Sequence, residues 1–367
     1  VVAHQQLKEV YENLLHAIRY PAGTSLILVV GPTGVGKTTL LERTIKQLIE
    51  DAACDPTTTP GHMPALTIEA PSPDTGNFSW KDYMTRALIA ADEPMLADKI
   101  TYDTRGIHRD EQGKLIIERT LTTPDLRRVL EKCLHHRRPR AFFVDEAQHI
   151  KKMGSGRRIL DQMDTLKSLA NMTATVHVLI GTYDLLGLMD LNAQLARRSV
   201  TIHFPRYHVD DLKEFTKLLR TFQRHLPFPE EPDLESHYEY FYEQCLGCTG
   251  MLKTLLNKAL GAALEQEEHT LTLKRCEQHA EPPQKLKNML HEIRDGEEKL
   301  ENQKDERHRQ ELRAMLGLGA STQSREPPEE KVALPSSDSP PKRKRGRRVG
   351  QRNARRDPVG KEANHAG

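Results

Sequence analysis

Gly31-Pro32-Thr33-Gly34-Val35-Gly36-Lys37-Thr38, with Thr39 after it, decides how this chain is read. The spacing is G-x-x-x-x-G-K-T, the pattern of a loop that cradles phosphates. Leu26-Ile27-Leu28-Val29-Val30 precedes it, an unbroken apolar run suited to a strand buried on both faces. Thr39 to Ile49 follows with helical spacing. Strand, glycine loop and helix form the context the pattern requires. The glycines let the backbone wrap a phosphate chain with its N–H groups pointing inward. Residues Gly31 to Thr39 are therefore expected to bind ATP, with Lys37 reaching the β- and γ-phosphates and the Thr38 hydroxyl ligating Mg²⁺.

Phe142-Phe143-Val144-Asp145-Glu146 is the second decisive stretch. A nucleotide hydrolase needs a carboxylate near Mg²⁺, at the end of a buried strand beside the loop strand, and Asp145 fits. Glu146 fits the base that orients and deprotonates the attacking water. Thr182 ends the expected strand Val176 to Ile180 and is expected between the loop and the Asp145 strand. There it would touch the γ-phosphate or the water; a plain turn residue is the alternative. Arg197 and Arg198 follow Leu191 to Ala196, where one of them would reach a neighbouring subunit's γ-phosphate; a solvated helix end is the other reading. Lys253, in Thr249-Gly250-Met251-Leu252-Lys253, would fold over the phosphates from a later helix, or be a surface lysine at a helix start.

Length and pattern set the organisation. The 367 residues suffice for about two folded domains with extensions. No apolar stretch reaches membrane-span length, so no membrane partner is expected. Val1-Val2-Ala3-His4 does not read as a signal peptide, and five cysteines suit a reducing cytoplasm better than a disulfide framework. Cys245-Leu-Gly-Cys248 lacks the second ligand pair of a zinc site and reads as incidental thiols. An N-terminal helix is expected within residues 1–22. Strands near Ala65–Glu69, Ala141–Asp145, Val176–Ile180 and Ser199–Phe204 alternate with helices over residues 23–207. That alternation predicts an α/β domain with a parallel sheet covered on both faces. Residues 208–282 read as a small helical lid and residues 283–316 as a charged helical extension. Residues 317–367 are too poor in apolar groups to fold alone and read as a disordered basic tail. Ten Lys/Arg against one acid lie between Pro341 and Lys361, leaving the body mildly acidic.

The glycine loop, Asp145-Glu146, Thr182, Arg197-Arg198 and Lys253, in that order, resemble the AAA+ ATPase family over residues about 7 to 280. The resemblance implies Walker A roles for Lys37 and Thr38 and Walker B roles for Asp145 and Glu146. It implies sensor 1 for Thr182, where the family often has Asn. It also implies an arginine finger at Arg197 or Arg198, sensor 2 at Lys253, and homo-oligomeric rings or filaments with ATP at subunit boundaries. The opening with His4, Leu7 and Tyr20-Pro21, then Val144-Asp145-Glu146-Ala147-Gln148-His149, Leu179-Ile180-Gly181-Thr182 and Gln194-Leu195-Ala196-Arg197-Arg198, are similar to the TniB/TnsC-type transposition ATPases. Those assemble on double-stranded DNA with ATP and connect a target-selection protein to a transposase. The resemblance implies the same partners here, in a bacterial cytoplasm.

Basic segments agree with a DNA partner. Lys151-Lys152-Met-Gly-Ser-Gly-Arg157-Arg158 is a flexible loop with four cations, suited to phosphates rather than base edges. Arg105, Arg109 and Lys114 flank an expected turn at Glu111-Gln112-Gly113 in an exposed insertion and would act likewise. For both, a solvated basic loop is the alternative. The tail grips DNA, or carries a docking peptide from Val349-Gly350-Gln351-Arg352 through Arg355-Arg356-Asp357-Pro358-Val359-Gly360 for a partner such as a transposase; a tail that serves only solubility is the alternative. Two other functional readings stay open: a replication initiator or clamp-loader-like ATPase, and a nucleotide-gated scaffold with little turnover.

Overall fold

The computed structural model describes residues 4–56, 59, 61–73, 78–91, 107–109, 112, 115–117, 122–151, 156–188, 197–302 and 306–318. The chain divides into Val1–Arg309 and Gln310–Gly367. In the second unit only residues 310–318 are described, the end of a helix spanning Glu306–Met315 and a turn.

Five parallel strands form the centre of the first unit: β1 (Leu26–Val30), β2 (Ala65–Glu69), β5 (Ala141–Asp145), β6 (Val176–Gly181) and β7 (Ser199–His203). Their order across the sheet is β2-β5-β6-β1-β7. β6 thus lies between the glycine-loop strand β1 and the Asp145 strand β5, which puts the strand before Thr182 where it was expected and corrects the expectation that the Asp145 strand lies directly beside the loop strand. Chain order does not reveal strand order here, because helical crossovers let consecutive strands skip a neighbour. The register pairs Val30 with Gly181 and Val144 with Leu179, so the loops following β1, β5 and β6 leave the same end of the sheet.

Side chains of a strand alternate between faces, and here both faces are covered. Leu26, Leu28, Val30, Phe142, Val144 and Leu179 pack against helices α3 (Trp80–Ala90), α4 (Thr123–Arg137) and α5 (Gly156–Thr173). Ile27, Val29, Phe143, Val178 and Ile180 pack against α1 (Gln5–Arg19) and α2 (Lys37–Ala53). That double burial is why β1 and β5 read as apolar runs and why β6 does so apart from His177; each fully buried aliphatic side chain contributes about 1.5–3 kcal/mol. In α4, Asp125 Oδ2 accepts the backbone N–H of Thr122 at 3.2 Å and Pro124 sits in the first turn, where its missing N–H costs nothing. The insertion between α3 and α4 contains an antiparallel hairpin, β3 (Ile107–Arg109) with β4 (Leu115–Ile117).

Beyond β7 the chain is helical: α6 (Leu212–His225), α7 (Tyr238–Cys245), α8 (Thr249–Glu265), α9 (Leu273–Gln278) and α10 (Pro283–Asn302). Phe215, Leu219, Phe241, Leu252, Leu256 and Ala259 form their own core. Leu286 and Ile293 of α10 join Leu246 and Cys248, while Leu300 joins the sheet core, so α10 spans both parts. Cys245 and Cys248 are free and buried. No helix among the described residues is long and apolar enough to cross a membrane.

Candidate nucleotide site

The loop Gly31–Thr38 turns off the end of β1 and enters α2, whose N-cap Gly36 has φ +112°. Gly34 has φ +80°, so two glycines occupy backbone conformations that side chains disfavour. Gly31 is needed for another reason: a Cβ there would lie 2.3 Å from the Phe204 carbonyl oxygen. Lys37 is buried, and its Nζ donates to the carbonyls of Gly31 at 3.0 Å and Pro32 at 2.8 Å. Burial lowers its pKa, against the opposing pull of Glu146 and Asp145. Thr38 and Thr39 lie in the first turn of α2.

Asp145 ends β5, and its Oδ2 accepts from Thr38 Oγ1 at 3.4 Å. Its pKa is raised, first by burial and then by the neighbouring Glu146 charge, while the Glu146 backbone N–H, Lys37 and Thr38 oppose the shift. Two carboxylates, a hydroxyl and one lysine make a site with oxygen donors for a hard cation. Thr38 and Asp145 fit Mg²⁺ by ligand chemistry. Thr182 follows β6 at the same sheet end, and its backbone N–H donates to Gln148 Oε1 at 3.3 Å. Gln148 Nε2 in turn donates to Glu146 Oε2 at 2.5 Å. Sequence reading gave Gln148 no role; the only signal was its place in Asp145-Glu146-Ala147-Gln148.

The helical part reaches the loop at the start of α8. Gly250 N–H donates to Gly34 O at 2.6 Å and Thr249 Oγ1 donates to Val35 O at 2.8 Å. Lys253 is on the same helix, exposed, one turn further on. Helix α10 closes the other side, where a cavity of about 350 Å³ is lined by Pro32, Thr33, Thr182, Glu292, Ile293 and Lys299.

The remaining candidates are elsewhere. Arg197 and Arg198 are exposed and precede β7, at the end of the sheet opposite the loop, since Ser199 pairs with Leu26 and His203 with Val30. Five residues of strand separate them from this chain's own glycine loop, about 15 Å. Arg198 Nη1 donates to Asn171 Oδ1 at 3.1 Å. Lys151 Nζ donates to the Asp184 carbonyl at 3.4 Å. Arg105, Lys114, Lys152 and the tail from residue 319 lie outside the described residues, as do the side chains of Arg109, Arg157 and Arg158.

Sheet order, glycine loop and acidic strand end together define the architecture. It is a P-loop AAA fold. Residues 20–189 match the family model described as AAA domain. No curated protein matches the chain in sequence. Among solved structures, the Walker-type ATPase paby2304 of Pyrococcus abyssi is similar at 16% identity and TM-score 0.47, over 85% of this chain and 79% of that one. Aeropyrum pernix Orc1, solved in complex with DNA, is similar at 15% identity and TM-score 0.47, over 76% and 65%. Domain III of the Thermotoga maritima replication initiation protein DnaA gives 12% identity and TM-score 0.45, over 77% and 95%. The glycine loop, Asp145, Glu146 and Thr182 all fall inside the matched residues, while Arg197, Arg198 and Lys253 fall after them.

Proposed function

We propose that this chain is a Mg²⁺-dependent ATPase whose subunits assemble on duplex DNA and regulate transposition. The ATPase part rests on one observation: the glycine loop, Thr182 and Asp145-Glu146 converge at one end of three adjacent strands, with Thr38 Oγ1 3.4 Å from Asp145 Oδ2. Lys37 would exchange its loop carbonyls for phosphate oxygens. Mg²⁺, held by Thr38 and Asp145, would neutralise phosphate charge. Glu146 takes a proton from water as the water oxygen attacks the γ-phosphorus, and the bond to the bridging oxygen breaks to release ADP.

Assembly is the second part. Arg197 and Arg198 cannot serve the site of their own chain from the far end of β7, so their use as phosphate ligands requires a neighbouring subunit. The transposition role is supported by the similarity of the Asp145-to-His149 and Gln194-to-Arg198 segments to the TniB/TnsC-type ATPases. The basic segments around Lys151–Arg158 and Arg105–Lys114 support duplex DNA as partner, read through its phosphates. Residues 208–282 would be the lid, and residues 317–367 a DNA-gripping or partner-docking tail.

Electron microscopy with a slowly hydrolysed ATP analogue, with and without duplex DNA, tests this reading alongside Lys37→Ala. Rings or filaments that need nucleotide, DNA and Lys37 are expected, with turnover stimulated by the cognate transposase. A monomer indifferent to nucleotide would overturn the assembly role. Assemblies that ignore a transposase but load a helicase or clamp would move the role to replication.

A further inference from the structure

Glu146 is held in an unusual way. Its φ is +50°, a left-handed conformation that non-glycine residues seldom adopt. Its carbonyl accepts the His149 N–H at 3.1 Å, and His149 Nδ1 lies 3.2 Å from the Ala70 carbonyl oxygen. This short turn swings Gln148 back over the end of the sheet. Gln148 Nε2 then meets Glu146 Oε2, and its Oε1 meets the Thr182 N–H. A peptide N–H can only donate and an ionised carboxylate can only accept, so the amide fits in one orientation. Space for it depends on Gly181, where a Cβ would lie 2.3 Å from Gln148 Oε1.

We propose that Gln148 is a positioning residue: its amide ties the Glu146 carboxylate to the backbone of Thr182. This rests on the ATPase reading above. The two groups expected around the attacking water come from different strands, β5 and β6, and this amide links them directly. A shift at Thr182 on meeting a γ-phosphate is passed to Glu146 through two hydrogen bonds. Without the link, Glu146 keeps its chemistry and loses its aim, which affects the chemical step and not nucleotide binding.

Steady-state ATP turnover and ADP affinity in wild type, Glu146→Gln, Gln148→Ala and Gln148→Glu test this. Gln148→Glu is isosteric; it still accepts from Thr182 N–H but offers an oxygen where Glu146 needs a donor. Both Gln148 variants are expected to lower kcat about 10- to 100-fold. KM and the ADP Kd should stay within about 2-fold, because binding is made elsewhere. A role limited to filling space would be rescued by Gln148→Glu, so wild-type kcat in that variant overturns the proposal. So does a loss seen in KM with kcat intact. Should Gln148→Ala melt below assay temperature, the isosteric variant carries the test. Turnover that Glu146→Gln abolishes and Gln148→Ala spares overturns this inference alone; wild type without turnover overturns the ATPase reading with it.

Discussion

The backbone N–H of Gly250 donates to the carbonyl of Gly34 at 2.6 Å, joining the first turn of α8 to the glycine loop. The opening N–H groups of a helix have no acceptor within it, and here the loop supplies one. Thr249 Oγ1 likewise donates to the Val35 carbonyl. In a trans peptide the C=O and the following N–H point in opposite directions. Holding the Gly34 and Val35 carbonyls against α8 therefore turns the N–H groups of Val35 and Gly36 the other way.

This contact should set nucleotide affinity. A Cβ on Gly250 would lie 2.5 Å from Gly34 O, so Gly250→Ala must push helix and loop apart. Thr249→Val removes one donor without changing size. Each is expected to weaken ADP binding about 10-fold, equivalent to about 1.4 kcal/mol. Titration with a fluorescent ADP analogue reads this, and wild-type affinity in both variants would disconnect the helix from the loop's function.

The elements and the site differ in how far the sequence exposes them. β2 was legible because its short apolar stretch lies between turns, and β1 and β5 because a strand buried on both faces, or ending in paired acids, is a local pattern. Lys37, Thr38, Asp145 and Glu146 were legible for the same reason. The link through Gln148 was not, because it depends on the left-handed turn at Glu146 that brings Gln148 back to the Thr182 N–H, which no local sequence pattern announces. Helix α10 read as a charged extension because Leu286, Ile293, Gly296 and Leu300 are sparse among charges, and the surfaces that bury them come from distant parts of the chain. Gly296 looks like a weak point in a helix, yet a Cβ there would lie 2.2 Å from the Tyr183 ring. The hairpin Ile107–Arg109 with Leu115–Ile117 was read only as a turn, since strands of three residues carry too little pattern.

Arg206 and Glu297 should anchor α10. Arg206 Nε and Nη2 reach the two carboxylate oxygens of Glu297 at 2.9 and 3.2 Å, with side chains only 11% and 13% exposed. Removing one partner from a buried pair leaves the other charged and unmatched. Glu297→Ala is expected to cost about 3 kcal/mol in chemical denaturation. The double replacement Arg206→Met with Glu297→Leu should recover most of it, since the pair's desolvation cost disappears as well. Additive losses in the double variant would contradict this account.

His177 should make the protein acid-sensitive. It is fully buried in β6, with neither ring nitrogen bonded to a partner among the described residues. Burial lowers its pKa from 6.5 to about 3. Between those values the unfolded chain takes up a proton that the folded chain refuses. This group's contribution is therefore fully present above pH 6.5 and is lost as pH falls toward 3, at about 1.4 kcal/mol per unit. His177→Leu should flatten the fall in melting midpoint between pH 6.5 and pH 4. Equal slopes in variant and wild type would show that other groups control acid unfolding.

Arg197 and Arg198 should act across a subunit boundary. They lie at the opposite end of the sheet from their own glycine loop, so replacing them leaves that chain's Lys37 and Glu146 in place. A chain with Arg197→Ala and Arg198→Ala is expected to bind nucleotide normally and lose about 10³-fold in turnover if an arginine stabilises the transition state in trans. Lys37→Ala has the converse defect: it cannot bind nucleotide but still presents both arginines. Neither variant turns over alone. Mixed, an intact loop on one subunit faces intact arginines on another, and part of the activity should return, rising to a maximum near equal proportions. Restored turnover in the mixture requires shared sites. Its absence, with mixed assemblies visible by electron microscopy, would place the arginines outside the reaction.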